Sequence, residues 1–261
     1  MIPRPTIIAW RKFANWPQDE QVEQDLIISR ALIEIFNHPN LKDKLAFRGG
    51  TALHKLIFPN ALRYSEDIDL NRLEKGANGE IISSVKEALK SMLGKPIKIN
   101  TSFRTLTLYF RYNSCVNTQR KIKIEINCRE TLPKEDLFEM PYSIESEYFN
   151  GSANIKMFCI EEMIGTKIRA LYQREKGRDL FDLYQAREIE IIDWAKVVDN
   201  FLMLEDIVES KVTKSDIEKN LSEKMKEDKF VNDIRPLLPS DVDYNPEAAY
   251  RWFVERILPL I

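Results

Sequence analysis

Two aspartates one residue apart, Asp67 and Asp69, alternate with the apolar Ile68 and Leu70 in Arg63-Tyr64-Ser65-Glu66-Asp67-Ile68-Asp69-Leu70. On an extended strand, residues two apart project to the same side. The carboxylates therefore share a face and suit one or two Mg²⁺ ions, which favour hard oxygen ligands supplemented by substrate phosphates. Upstream, Phe47-Arg48-Gly49-Gly50-Thr51-Ala52-Leu53 sets a glycine pair between a short apolar run and a helical stretch. Such glycines let backbone N–H groups approach phosphate oxygens, and a following helix adds its positive end. Thr51 offers a hydroxyl, and Ser65, with no base nearby in sequence, is expected to orient Asp67 or cap a turn. A third carboxylate would complete a two-metal site that activates an attacking oxygen and stabilises leaving pyrophosphate. Glu125, the single acid between Glu87 and Glu130, is the candidate. Asp-x-Asp and a glycine pair are each unspecific alone. Their order, Gly-Gly-Thr and then Ser-x-Asp-x-Asp about fourteen residues on, followed by a strand acid, carries the signal.

The elements that must position these residues are legible in coarse form. Residues 19–37 have an acidic start and apolar residues at helical spacing (Val22, Leu26, Ile33, Phe36), predicting an amphipathic helix. Leu45–Phe47, the glycines and ALHKLIF read as strand, turn and helix, with His54 a packing or helix-surface residue rather than a catalytic one. Residues 80–92 read as a helix, and 97–112 and 121–127 as strands. In the latter, Ile122, Ile124 and Ile126 face one way and Lys121, Lys123, Glu125 and Asn127 the other. Residues 131–155, with Pro133, Pro141 and Gly151, are expected to be a loop-rich boundary. Helices follow: one over Ile160–Arg187, several pieces over about 191–230, and a last one around Glu247–Leu258.

Composition narrows the function classes. The chain has 261 residues, 44% hydrophobic and 31% charged, enough for a packed core of one large domain or two smaller ones. No apolar window approaches a membrane span, and the start MIPRPTIIAWRKF lacks the pattern of a secretory signal, so a cytoplasmic location is expected. Three cysteines without a C-x-x-C pair and two histidines without metal spacing argue against zinc ribbons, thiol redox and histidine-based triads. Carboxylates, lysine and arginine must do the chemistry.

Charge is uneven: residues 1–130 carry 21 Lys+Arg and 14 Asp+Glu, and residues 131–261 carry 18 and 27. Residues 89–129 hold nine basic residues against one acid, with Phe103, Tyr109, Phe110 and Tyr112 among them. That block suits a polyanion such as a nucleotide or RNA, or equally the solvated face of a sheet. Arg104, Arg111, Lys121 and Lys123 are the candidate acceptor-binding residues.

The blocks FRGGTALHKL and RYSEDIDL, with EEMIGTKIRALYQREKGRDLFDLYQ downstream, resemble the AbiEii/MenT nucleotidyltransferase-like toxins of bacterial toxin–antitoxin and phage-defence modules. The resemblance spans about residues 20–190. It implies an α+β fold, a polymerase-β-like nucleotidyltransferase core (residues 1–145) followed by a helical domain (146–261). It also implies Mg²⁺, an NTP substrate, transfer of a nucleotide to the 3′ end of tRNA with loss of translation, and a cognate antitoxin. Within the family, the lysine of the downstream block and an aspartate after it are active-site residues; Lys167 matches the lysine.

A helical wheel bears on the aspartate. At about 100° per residue from Ile160, Lys167 falls near 340°, inside the apolar stripe of Met163, Ile164 and Leu171. A lysine there is costly unless paired or facing an anion. If the helix survives Gly177, Arg174, Arg178 and Asp182 continue the same face, while Asp179 points aside near 100°. The expectation is Asp182 as the catalytic partner, Asp179 as fallback, and Lys167 and Arg178 neutralising phosphate charge. Lys167 snorkelling from a core helix and Arg178 in a solvated charge run are the plainer readings of the same residues. Alternatives for the whole are transfer to a small molecule or protein side chain, or a catalytically inert module that binds its antitoxin.

Overall fold

The computed structural model describes residues 2–60, 62–129 and 133–261. The chain forms two compact units, Met1–Phe158 and Cys159–Ile261.

The first unit is built on a seven-stranded mixed sheet. Its strands are β1 (Leu45–Arg48), β2 (Asp67–Arg72), β3 (Lys98–Thr101), β4 (Thr105–Asn113), β5 (Gln119–Asn127), β6 (Phe138–Glu145) and β7 (Asn150–Met157), in the order β3-β4-β5-β2-β1-β7-β6. β2 runs parallel to β5 and antiparallel to β1, and β1 is parallel to β7. Helix α1 spans Arg4–Trp10 and α2 spans Asp19–Asn37. α3 (Gly49–Ala52) opens into wider turns over Leu53–Ile57, and α4 spans Asn78–Leu93. α2 starts on Asp19 and Glu20, acids that favour the positive helix end, behind a Gln18–Gln21 capping box. It packs on β2, β6 and β7, while α4 packs on β4.

Strand alternation divides the sheet. Ile68 and Leu70, Leu106, Leu108 and Phe110, and Ile122, Ile124 and Ile126 are all at most 1% exposed. Their neighbours at the other parity form a polar face. The expected strand over 97–112 is split by a turn in which the Ser102 hydroxyl accepts from the Thr105 N–H. The expected loop-rich stretch 131–155, whose first two residues lie outside the described ones, instead contributes the β6–β7 hairpin. Pro141 is tolerated because β6 is an edge strand, where a missing N–H breaks no inner ladder. No helix among the described residues is long and apolar enough to cross a membrane.

The second unit is helical: α5 (Ile160–Gln173), α6 (Gly177–Ala186), α7 (Trp194–Leu202), α8 (Glu205–Ser210), α9 (Lys214–Lys224), α10 (Asp228–Val231) and α11 (Pro246–Trp252), the last continuing in wider turns over Phe253–Ile257. Gly165 lets α5 approach α7, since a Cβ there would stand 2.9 Å from the Val197 carbonyl oxygen. The single helix expected over Ile160–Arg187 is two. α5 ends at Arg174, whose backbone is extended, and the buried Lys224 ammonium caps it by donating to the Leu171 and Tyr172 carbonyls at 2.5 and 2.7 Å. α6 then begins at Gly177, where a Cβ would stand 2.1 Å from the Phe230 carbonyl oxygen. Gly177→Ala should therefore cost about 1–3 kcal/mol, the range for overpacking a fixed site, read as a lower midpoint in thermal unfolding.

Candidate active site

The site is built outward from β2. Asp67 and Asp69 take the polar parity of that strand, and in the parallel pairing with β5 they stand opposite Lys123 and Glu125. β5 in turn aligns Lys123 with Tyr109 and Glu125 with Thr107 on β4. Both aspartates and Glu125 thus share one face, as the alternation predicts, with Arg48 of β1 opposite Asp69 on the other side.

The glycine turn meets this face from the end of β1. Gly49 has φ +80°, a left-handed conformation that favours glycine, and a Cβ there would stand 2.6 Å from Asp69 Oδ2. Backbone therefore comes right up to the carboxylate, and both constraints exclude a side chain. Gly50 and Thr51 follow in the first turn of α3. Thr51 is 1% exposed, and its hydroxyl donates to the Asp67 carbonyl at 2.5 Å while lying 2.7 Å from Ser65 Oγ. The Thr51 hydroxyl thus bridges Ser65 and the first residue of β2. Ser65, expected to orient Asp67 or cap a turn, meets the hydroxyl of Thr51 two residues before β2 begins. His54 is buried, its Nδ1 accepting from the Leu62 N–H and its ring set edge-on to Phe58, as a packing residue should be.

Electrostatics follow from this crowding. Burial, then the neighbouring Asp67 and Glu125, pushes the Asp69 carboxyl above the usual carboxylate range. Burial also raises Asp67, with the Lys123 ammonium opposing it. Lys123 Nζ lies 2.8 Å from Asp67 Oδ2 and 3.4 Å from Glu125 Oε2. Lys123, expected among the acceptor-binding residues, is thus paired with these acids. Glu125 faces that ammonium, and among the described residues no three carboxylate, thiol or imidazole groups are grouped to hold a metal ion. The Asp67–Asp69 pair still fits a divalent ion, because crowded carboxylates of raised pKa call for a cation, and Mg²⁺ is commonly held by one or two carboxylates plus substrate phosphates.

Of the other basic residues, Arg111 and Lys121 are exposed and stand directly across from each other on β4 and β5, on the same face and one alternation step from Lys123. Like charges directly opposite are destabilising unless an anion lies between them. Arg104 lies outside the ladder, in the turn before β4, and its guanidinium stacks on Phe103, 5.1 Å from the ring centre.

The second unit places the downstream block in a buried cluster of its own. Lys167 is 5% exposed, with Nζ 2.7 Å from Asp182 Oδ2 and 3.3 Å from Asp179 Oδ1; both aspartates are fully buried. Asp179 does not point aside. The break at 174–176 re-aims α6, so both aspartates meet the lysine, and Arg174 binds Asp179 through two hydrogen bonds of 2.6 and 2.7 Å. Arg178, expected at the triphosphate, is engaged through Nε and Nη2 with Asp233 at 2.8 and 2.9 Å. Although burial would raise Asp233, that guanidinium holds its carboxyl below the usual range. Asp233 carried no motif and was invisible in the sequence. Asp179, the fallback, points aside only on a wheel that runs one straight helix through Gly177.

The first unit is thus a mixed sheet with a glycine turn brought against paired strand aspartates, and the second unit is helical. The chain belongs to the family described as nucleotidyl transferase AbiEii toxin, type IV TA system, which matches residues 30–256. That family works with an NTP and a divalent metal ion, and its toxins have a cognate antitoxin. The fold is shared with MenT4, a nucleotidyltransferase toxin from Mycobacterium tuberculosis H37Rv (16% identity, TM-score 0.59, 100% of this chain and 99% of that one). It is also shared with a candidate nucleotidyltransferase from H. pylori (21% identity, TM-score 0.52, 92% and 95%). No curated protein sequence matches the chain.

The raised carboxyls give a test with a definite sign. A group whose folded pKa lies above its unfolded value of 3.8 costs stability wherever it is ionised, so the cost is full at neutral pH and fades as pH falls through the folded value. Asp69→Asn should stabilise the metal-free protein at pH 7 by about 1 kcal/mol, with the gain shrinking as pH falls toward the unfolded value of 3.8. Thermal unfolding with chelator present reads both.

Proposed function

We propose that the protein transfers a nucleoside monophosphate from an NTP to the 3′ end of an RNA acceptor, in the cytoplasm, as the toxin of a pair held in check by its antitoxin. One observation carries this reading: Asp67 and Asp69 share a continuous sheet face with the Arg111–Lys121 pair, so paired metal-type ligands and a phosphate-type surface lie on one platform.

Asp67 and Asp69 would hold Mg²⁺, which when bound supplies charge neutralisation on the phosphates. The N–H groups of Gly49 and Gly50 would bear on the triphosphate tail, where no Cβ intervenes. Thr51 and Ser65 keep β2 in register, so the carboxylates need no rearrangement when substrate arrives. Arg111 and Lys121 would hold the acceptor backbone, a contact that positions RNA without reading its sequence. Lys167 enters as an active-site residue on the family resemblance. Asp182 and Asp179 would position its ammonium, and a tRNA acceptor and a phage-defence role rest on the same resemblance.

Protein incubated with bulk cytosolic RNA, Mg²⁺ and each labelled NTP in turn should label RNA. Asp67→Ala should lower that transfer by about a thousandfold or more while its circular dichroism stays that of the parent; turnover at the parent rate would sink the scheme. Label appearing on a small molecule or on protein instead of RNA would favour those acceptors. The double variant Arg111→Ala/Lys121→Ala should weaken RNA binding and flatten the slope of log affinity against log salt by about 2. Filter binding between low and physiological salt measures this.

A further inference from the structure

We propose that Lys123 is a built-in counter-ion for the carboxylates of β2 and β5, holding a divalent ion's place until a metal-bound triphosphate arrives. The inference rests on the proposed function, because it takes Asp67 and Asp69 as the metal ligands.

The geometry is specific. Lys123 projects from β5 directly opposite Asp67, in an inner strand, with its ammonium against one oxygen of Asp67 and one of Glu125. These side chains are 28%, 32% and 43% exposed, so the ammonium is held at the rim of the carboxylate cluster, where an incoming ion must pass or replace it. Two strands fix the register, and on the side away from Glu125 the next cross-strand pair on the same face, Arg111 and Lys121, is itself basic.

That arrangement makes a bare metal ion a poor ligand. To bind Asp67 it must displace the ammonium from Oδ2 or share the carboxylate with a like charge, and an ammonium so displaced stands beside Lys121 with one anion fewer to balance it. A metal ion that brings a triphosphate carries phosphate oxygens with it, and these give the released ammonium a new partner within reach of a lysine stem. Metal and nucleotide then load together, and Lys123 acts as a positioning residue that couples the two.

Mn²⁺ binding followed by electron paramagnetic resonance tests this without reference to turnover. The ion is titrated alone and as its equimolar complex with inorganic triphosphate, which is independent of base, into the full chain and its Lys123→Met, Lys123→Gln and Lys123→Arg variants. The parent protein should bind bare Mn²⁺ weakly and the complex at least about tenfold more tightly, within the usual range of coupling between two ligands. Lys123→Met and Lys123→Gln should bind bare Mn²⁺ about tenfold more tightly than the parent and lose most of the preference for the complex; Lys123→Arg should keep it. Bare-ion affinities equal to the parent's in both neutral variants would overturn the inference while leaving the proposed function standing. No binding of either form to any of the four proteins would remove the metal site itself, and the inference with it.

Discussion

Two carboxylates held side by side on one strand, partly out of water and repelling each other, are the constraint around which the first unit is arranged. Ionised Asp67 and Asp69 cost folding free energy, and the fold offsets that cost on the faces it controls. Strand alternation sends Ile68 and Leu70 into the core, so the strand is anchored by burial while its polar parity is left to carry charge. Lys123 supplies an opposite charge, and Thr51 pins the backbone carbonyl of Asp67 itself. A site kept at a loss in the metal-free protein is one that gains most from a cation.

Gly49 shows the same logic in the backbone. Its left-handed conformation brings the chain against Asp69 with no side chain between them. Any other residue would have to move either the turn or the carboxylate. Phosphate oxygens approaching a metal held by Asp69 would therefore find amide groups close by, without rearrangement. Positioning and electrostatics come from one local geometry.

The helical unit handles buried charge differently. Lys167, Asp179, Asp182 and Arg174 form a network of opposite charges in which Lys167 and both aspartates lie out of solvent, while Arg174 reaches in from the surface. Such a network is costly to break from one side, because removing a partner leaves an uncompensated charge. Arg178 and Asp233 repeat the arrangement nearby with a two-pronged contact that favours arginine over lysine. Orientation of the lysine is thus over-determined, whatever it is oriented for.

Local chemistry was legible in the sequence because it is written in periods and neighbours. Alternation of period two put Asp67 and Asp69 on one side, and a glycine pair between strand and helix marked a close backbone approach. The lone acid of a lysine-rich strand marked Glu125 as belonging to the same face. Partnership was not legible, because it depends on residues far apart in the chain. That Lys123 would neutralise Asp67 across a parallel pair, that Arg178 would meet Asp233, and that residues 138–157 would add a hairpin to the sheet are decided by packing. The wheel over residues 160–182 failed for a related reason: the helix breaks at 174–176, and a second helix begins at Gly177, which packs against the Phe230 carbonyl more than fifty positions away. The sequence by itself determined which groups are able to react; the tertiary structure decided which of those charges are already spoken for.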